Sequence, residues 1–312
     1  MPILRLNVGE DGLSLNGSPA SAMSGIRSAA RGSGPVIVMI HGFKYDPNCG
    51  SCSPHSTIFA RTAHPDRTDD TQWPRHLGFG NGHADEGLAI AFGWRARGNL
   101  WRAERSARAA GRNLARVVRE IRNIAPERPV HMVTHSLGSE VAFAALERLP
   151  TRSVGRIFAL TAASYVSRAN AAMQTPAGRT SELFNVTSRE NDVFDFMYER
   201  MIAPPERGDW AMGTGVELPN AVNIQIDCPE TLRRLTDFGG HIEPSNRRVC
   251  HWSGYTRPGV LRFYKLAMRQ PDRVPLDALR RALPAQTAPR WSRVVQRPRI
   301  TLPLPHLQKA AS

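Results

Sequence analysis

The chain has 312 residues, 41% hydrophobic and 22% charged, the balance of an ordinary soluble globular protein long enough to bury a substantial core. Its net charge of +14 comes almost wholly from arginine, since Lys44, Lys265 and Lys309 are the only lysines; association with an anionic surface stays open, but the arginines are spread along the chain without interleaved aromatics, so no specific nucleic-acid module is read. No stretch approaches the roughly 20 apolar residues of a membrane-spanning helix, and Met1 to Gly17 lacks a basic segment leading into an apolar core, so a cytoplasmic protein is expected.

In chain order, Pro2 to Val8 alternates apolar residues as an edge strand does, before a turn-rich stretch from Gly9 to Gly34. Val36-Ile37-Val38-Met39-Ile40 is continuously apolar, the mark of a strand covered on both faces of a parallel sheet. A polar insertion, residues 45–86, separates it from the strand Leu88 to Phe92; a segment of that length more often shapes a site or lid than merely connects. A helix follows from about Trp101 to Ile124, with Leu114, Val117, Val118, Ile121 and Ile124 at helical spacing. Val130 to Val133 is the next strand and Gly138 to Leu149 the next helix. Ile157 to Leu160, Leu183 to Val186 and Val222 to Ile226 are further strands, and Val260 to Met268 is a last helix. Strands alternating with helices give an α/β fold with a mostly parallel central sheet and helices on both faces. The division expected is one domain over residues 1–270, carrying the inserted loop 45–86, and a Pro/Arg-rich, extended tail over 271–312.

The chemistry centres on Thr134-His135-Ser136-Leu137-Gly138, between a buried strand and a helix. A serine there sits on a sharp turn with its hydroxyl at the carboxyl edge of the sheet, a nucleophile elbow, and the Leu137 amide at the helix N-terminus faces developing negative charge. Thr134 stands where the usual pattern has glycine, and the same serine also suits a helix N-cap. An oxyanion hole needs a second amide, and the backbone of Phe43 in His41-Gly42-Phe43 supplies it, with Gly42 permitting close approach and His41 read as structural. In this chain order the acid and then the histidine follow the nucleophile. His241, His251 and His306 lie far enough along, with His306 disfavoured in the tail. Asp192 is the acid chosen, with Glu190 and Asp195 as alternatives.

Cys49 and Cys52 form a lone CxxC near His41, His55 and His64, read as loop thiols or a local disulfide rather than a metal or redox site. Cys228 and Cys250 flank a loop that they would bridge in an oxidising compartment.

The pattern resembles the bacterial α/β-hydrolases of unknown function called the DUF900 family, which are similar to serine esterases and lipases. The resemblance runs through Ile37-Val38-Met39-Ile40-His41-Gly42-Phe43, Phe92-Gly93-Trp94, His135-Ser136-Leu137-Gly138, Asn191-Asp192-Val193 and His251-Trp252-Ser253-Gly254-Tyr255. It implies the α/β-hydrolase fold and favours His251 over His241, because a histidine followed by an aromatic and then a helix is the family's arrangement. The expectation is therefore a serine esterase or lipase-like catalytic triad of Ser136, Asp192 and His251, acting on a small-molecule or lipid-like acyl ester with no cofactor and no metal. An acyltransferase with the same triad, and a non-catalytic scaffold binding anionic surfaces, are the alternatives.

Overall fold

The computed structural model describes residues 3–9, 12–62 and 71–284. The elements in chain order are β1 (Ile3–Gly9), β2 (Gly12–Leu15), α1 (Ala22–Ala30), β3 (Val36–Ile40), α2 (Trp73–His76), β4 (Leu88–Trp94), α3 (Leu100–Ile124), β5 (Val130–His135) and α4 (Gly138–Leu146). They continue with β6 (Arg156–Leu160), α5 (Val166–Met173), α6 (Pro176–Arg179), β7 (Glu182–Thr187), α7 (Asp192–Met201), β8 (Ala221–Gln225), α8 (Pro229–Thr236), α9 (Ser253–Thr256), α10 (Val260–Arg269) and α11 (Leu276–Ala282).

Eight strands form one sheet in the order β2-β1-β4-β3-β5-β6-β7-β8, every pairing parallel except that of β1 with β2. The continuous apolar runs are explained by two cores. Val36, Val38 and Ile40 of β3 face one with α1, α3, α4 and α5, while Ile37 and Met39 face the other with α10 and α11. A strand buried on both faces has no polar side to alternate with.

Helix α3 begins at Asn99, whose side chain accepts from the Arg102 amide at 2.8 Å, and lays an alanine-rich stripe against the fully buried α4. The two helices meet so closely that a Cβ on Gly111 would lie 2.6 Å from that of Ala144.

Several sequence expectations are corrected. β1 is not an edge strand: it pairs in parallel with β4, and β2, whose first residue Gly12 takes φ +102°, forms the edge. The stretch read as turns holds α1, whose buried residues Ala22, Ile26 and Ala30 are too small a stripe to stand out. Helices α5, α7 and α8 were not anticipated. The expected extended tail folds over Pro271–Arg273 and α11, where Leu276, Leu279 and Leu283 recur at helical spacing and enter the second core. Residues 285–312, including His306, lie outside the described residues, as does His64.

The insertion contributes Phe59, Trp73, Leu77 and Phe79 to the second core, and the Trp73 ring lies 5.2 Å from that of Tyr255. Cys49 and Cys52 form a disulfide, whereas Cys228 and Cys250 are free thiols, so the bridge across the 229–249 loop is not made.

Because α3 and α4 touch backbone to backbone at Gly111, Gly111→Val is expected to destabilise the fold by about 1–3 kcal/mol through overpacking. Urea unfolding followed by circular dichroism measures it, with Ala109→Val as the half-exposed control on the same helix.

Candidate active site

Ser136 ends β5 with φ +53°, a left-handed backbone that a residue with a Cβ adopts at a cost of about 1–2 kcal/mol. Lys44 (φ +77°) and Thr161 (φ +41°) do the same just after β3 and β6. Three of the four such non-glycine residues among those described thus gather at the carboxyl ends of three adjacent strands, and strain of this kind concentrates where function over-determines the backbone.

The turn is held by bonds and by crowding. The Ser136 amide donates to the Leu160 carbonyl at 3.0 Å, and Ser139 N donates to the Ser136 carbonyl at 3.1 Å. The missing first glycine is accounted for by Thr134, whose hydroxyl lies 2.8 Å from Ser139 Oγ and 3.3 Å from the Phe158 carbonyl. It ties β5 to both α4 and β6. A Cβ on Gly138 would sit 2.6 Å from the His41 carbonyl, and one on Gly42 2.7 Å from Ser136 Cβ. The segment carrying Phe43 is therefore pressed against the serine turn, and Leu137 leads directly into α4. Phe43 and Leu137 lie on the two segments that meet at Ser136, with the positive end of the α4 macrodipole beside them.

His251 Nε2 lies 2.8 Å from Ser136 Oγ. Its loop is fixed from several sides: the His251 carbonyl accepts from His135 Nε2 at 2.9 Å and from Thr161 Oγ1 at 3.0 Å, and Cys250 N donates to the Glu190 carbonyl at 2.9 Å. Phe194 stacks on the imidazole at 4.6 Å, and the His135 ring lies 4.7 Å away. The other candidate histidine, His241, is exposed on the surface.

The orienting group departs from the sequence reading. His251 Nδ1 bonds to Oδ1 of Asn191 at 2.6 Å, one residue before the expected acid, Asp192. Asp192 is the first residue of α7 and is fully buried. Behind Asn191, its Nδ2 donates to Asp195 Oδ1 at 3.0 Å. The Asn191 amide thus turns its nitrogen toward Asp195 and its oxygen toward His251. That oxygen cannot donate, so the proton of the neutral imidazole sits on Nδ1 and the lone pair of Nε2 faces the serine. Glu190 is engaged elsewhere, in a buried ion pair with Arg257 Nη2 at 2.6 Å and a hydrogen bond from Ser245.

Burial, then the neighbouring His135 and Lys44, hold the His251 pKa well below its ordinary 6.5. Burial likewise pushes His135 down to about 4 and His41 to about 3. His41 serves the scaffold, as expected: it stacks on Trp94, its Nε2 accepts from the Trp94 amide at 3.1 Å, and its carbonyl accepts from the indole at 3.0 Å. The roles of His135, Thr161, Asn191 and Phe194 were not read from the sequence. His135 had a local signal by adjoining the serine, and Asn191 by adjoining Asp192 in a motif of the resemblance.

An open cleft of about 820 Å³ beside the site is lined by Phe43, Lys44, Tyr45, Cys52, Trp252, Tyr255 and Arg257 among others. Ser136 and His251 do not line it themselves but adjoin the residues that do. Among the described residues no group of three or more His, Cys, Asp or Glu is arranged to hold a metal ion, and no helix is long and apolar enough to cross a membrane.

Residues 20–171 match the model of a family described as alpha/beta hydrolase of unknown function (DUF900). The match includes Gly42 and Ser136 and ends before Asn191 and His251. No curated protein matches the chain. Among solved structures it is similar to an acylaminoacyl peptidase from Pyrococcus horikoshii, in an orthorhombic crystal form, with 12% identity and a TM-score of 0.26 over 50% of this chain. The chain spans 28% of that peptidase's length. Family match and sheet together make the fold that of an α/β-hydrolase.

The buried histidines also set an acid limit on stability. His41, His55, His131 and His135 have native pKa values lowered from 6.5 to about 3 or 4, mainly by burial. Above pH 6.5 they are neutral in both states and cost nothing. As pH falls below 6.5 the unfolded chain takes up protons that the native state refuses, costing about 1.4 kcal/mol per histidine for each pH unit until the native pKa is reached. The urea midpoint is expected to fall steadily from pH 6.5 to pH 4; a midpoint flat over that range would contradict this burial.

Proposed function

We propose that this α/β-hydrolase is a serine hydrolase that cleaves a carboxylic ester through an acyl-enzyme on Ser136. The observation that carries the proposal is the 2.8 Å contact of Ser136 Oγ with Nε2 of His251, made by a serine in a left-handed turn at a strand end. His251 takes the hydroxyl proton as Oγ attacks the ester carbonyl. The amides of Phe43 and Leu137 are assigned to the oxyanion, the imidazolium returns its proton to the leaving alcohol, and water repeats the cycle to release the acid.

The third member is read as a relay. Asn191 receives the Nδ1 proton bond and Asp195 polarises Asn191, so the imidazolium is compensated at one remove, with Asp192 the neighbouring carboxylate of the same turn. A neutral amide stabilises the cation less than a direct carboxylate does. It still selects the tautomer that leaves Nε2 free to accept.

Hydrolysis of short and medium p-nitrophenyl esters tests the reading. Ser136→Ala and His251→Ala should each lose at least about 1000-fold in kcat, and a fluorophosphonate should label the wild type but not Ser136→Ala. His241→Ala should stay within about twofold of wild type, as expected of an exposed residue remote from the chemistry. A folded wild type that is neither active nor labelled would overturn the proposal. For the relay, Asn191→Ala and Asp195→Asn should each lower kcat by about 10- to 100-fold, within the range of general acid–base assistance. Full activity in both, with loss only in Asp192→Asn, would return the acid to Asp192.

The pH profile follows from the direction of the His251 shift. The base works deprotonated and its pKa is depressed, so kcat/KM should hold as pH falls through 6.5 and drop only at clearly lower pH. An acid limb at or above 6.5 would contradict a buried, cation-flanked base.

A further inference from the structure

The large apolar side chains that remain exposed are distributed unevenly. Trp101, which is 48% exposed, stands on the first turn of α3, just past the carboxyl end of β4. Phe196, Met197 and Met201 are on α7, and Trp210, 50% exposed, follows in the same connection. Val249 and Trp252 flank His251, with Trp252 46% exposed. Every large apolar residue exposed among those described therefore lies on a segment that leaves the carboxyl edge of the sheet, the edge that carries Ser136.

Helix α7 explains the continuity. Its inward face, Asp192, Asp195 and Tyr198, is buried; Asn191, which precedes it, touches His251, and the Tyr198 ring packs 5.2 Å from that of Tyr165 beyond β6. The helix thus lies across the strand ends, and its outward face is apolar where a solvated helix would be polar. Trp210 is held at the same edge, since its carbonyl accepts from the Val166 amide at 2.9 Å. Phe194 is stacked on the imidazole and lies 6.3 Å from the Trp252 ring, and Met197 and Met201 follow it on α7 at helical spacing, with Arg200 over the Phe196 ring.

Charge accompanies it. The exposed charged residues beside Trp101 are Arg102 and Arg105. Those between Phe196 and Trp210 are Arg200, Glu206 and Arg207, and those beside Val249 are Arg247 and Arg248, with Glu243 further back. Arginines around exposed tryptophan and methionine match a surface with an apolar interior and anionic headgroups, where indole rings settle at the boundary and each cation adds roughly 1 kcal/mol. A bound protein of similar footprint would cover the entrance to the serine, whereas a lipid surface would supply the ester.

We infer that this edge is a docking face for a lipid–water interface bearing anionic headgroups, and that the ester cleaved at Ser136 is a long-chain acyl ester drawn from it. The substrate clause rests on the serine-hydrolase reading; the docking clause does not.

The test is co-sedimentation of the full chain with vesicles of phosphatidylcholine alone and of phosphatidylcholine mixed with phosphatidylglycerol. The wild type and Ser136→Ala should both bind the mixed vesicles, more weakly at high salt, and bind the neutral vesicles at least tenfold less well. Met201→Glu with Trp210→Glu should bind the mixed vesicles at least tenfold less well than wild type while keeping its circular dichroism spectrum and melting temperature. If the wild type binds neither vesicle, or if the glutamate variant binds like wild type, the docking face is refuted and the apolar edge belongs to a protein partner or to no partner. Vesicle binding by a wild type that hydrolyses no ester and takes no fluorophosphonate would support the docking face while the catalytic reading fails; ester hydrolysis without vesicle binding would give the reverse.

Discussion

The close approach of two backbone turns at Gly42 and Ser136 is the constraint on which the rest of the site depends. Strand β3 is buried on both faces and lies between β4 and β5, so its chain must leave the sheet directly beside the turn that ends β5. There is no room for a side chain at Gly42, nor for one at Gly138 on the other side of the serine. Backbone is therefore packed closely on either side of the serine turn, while the His251 ring meets the hydroxyl. The left-handed φ of Ser136 is tolerated because β5, β6 and α4 all hold the turn in place.

Around that turn the molecule arranges polarity by layers. Below it, histidines are stripped of water and kept neutral, which lets His41 and His135 act as rigid hydrogen-bonding spacers rather than charges. Beside it, Asp195 fixes the Asn191 amide, and the amide fixes the imidazole tautomer, a chain of choices in which each acceptor-only group determines the next donor. Above it, α7 turns from buried polar to exposed apolar within a single helix. One element thereby both packs on His251 through Phe194 and presents Phe196, Met197 and Met201 to the surroundings.

Much of this was legible in the chain. Val36 to Ile40 announces a two-faced strand because no polar residue interrupts it, and the small residues near Ser136 announce a tight strand-to-helix turn. The pairing of Ser136 with a histidine later in the chain followed from the expected fold. What escaped was of two kinds. Helices α1 and α11 carry narrow apolar stripes between glycines, prolines and arginines, so local punctuation outweighed their spacing. The partner of His251 escaped because Asn191, Asp192 and Asp195 lie within five residues, and sequence supports a carboxylate in that turn without saying which side chain points where.

The sequence by itself determined the α/β class, the central strands and the serine turn, because apolar periodicity and steric crowding are local properties written in consecutive residues. Only the tertiary structure decided that Asn191 meets the imidazole, that Thr161 and His135 hold the histidine loop, and that the exposed tryptophans and methionines share one edge. Those outcomes depend on the directions of side chains brought together from distant segments, which spacing along a chain does not specify.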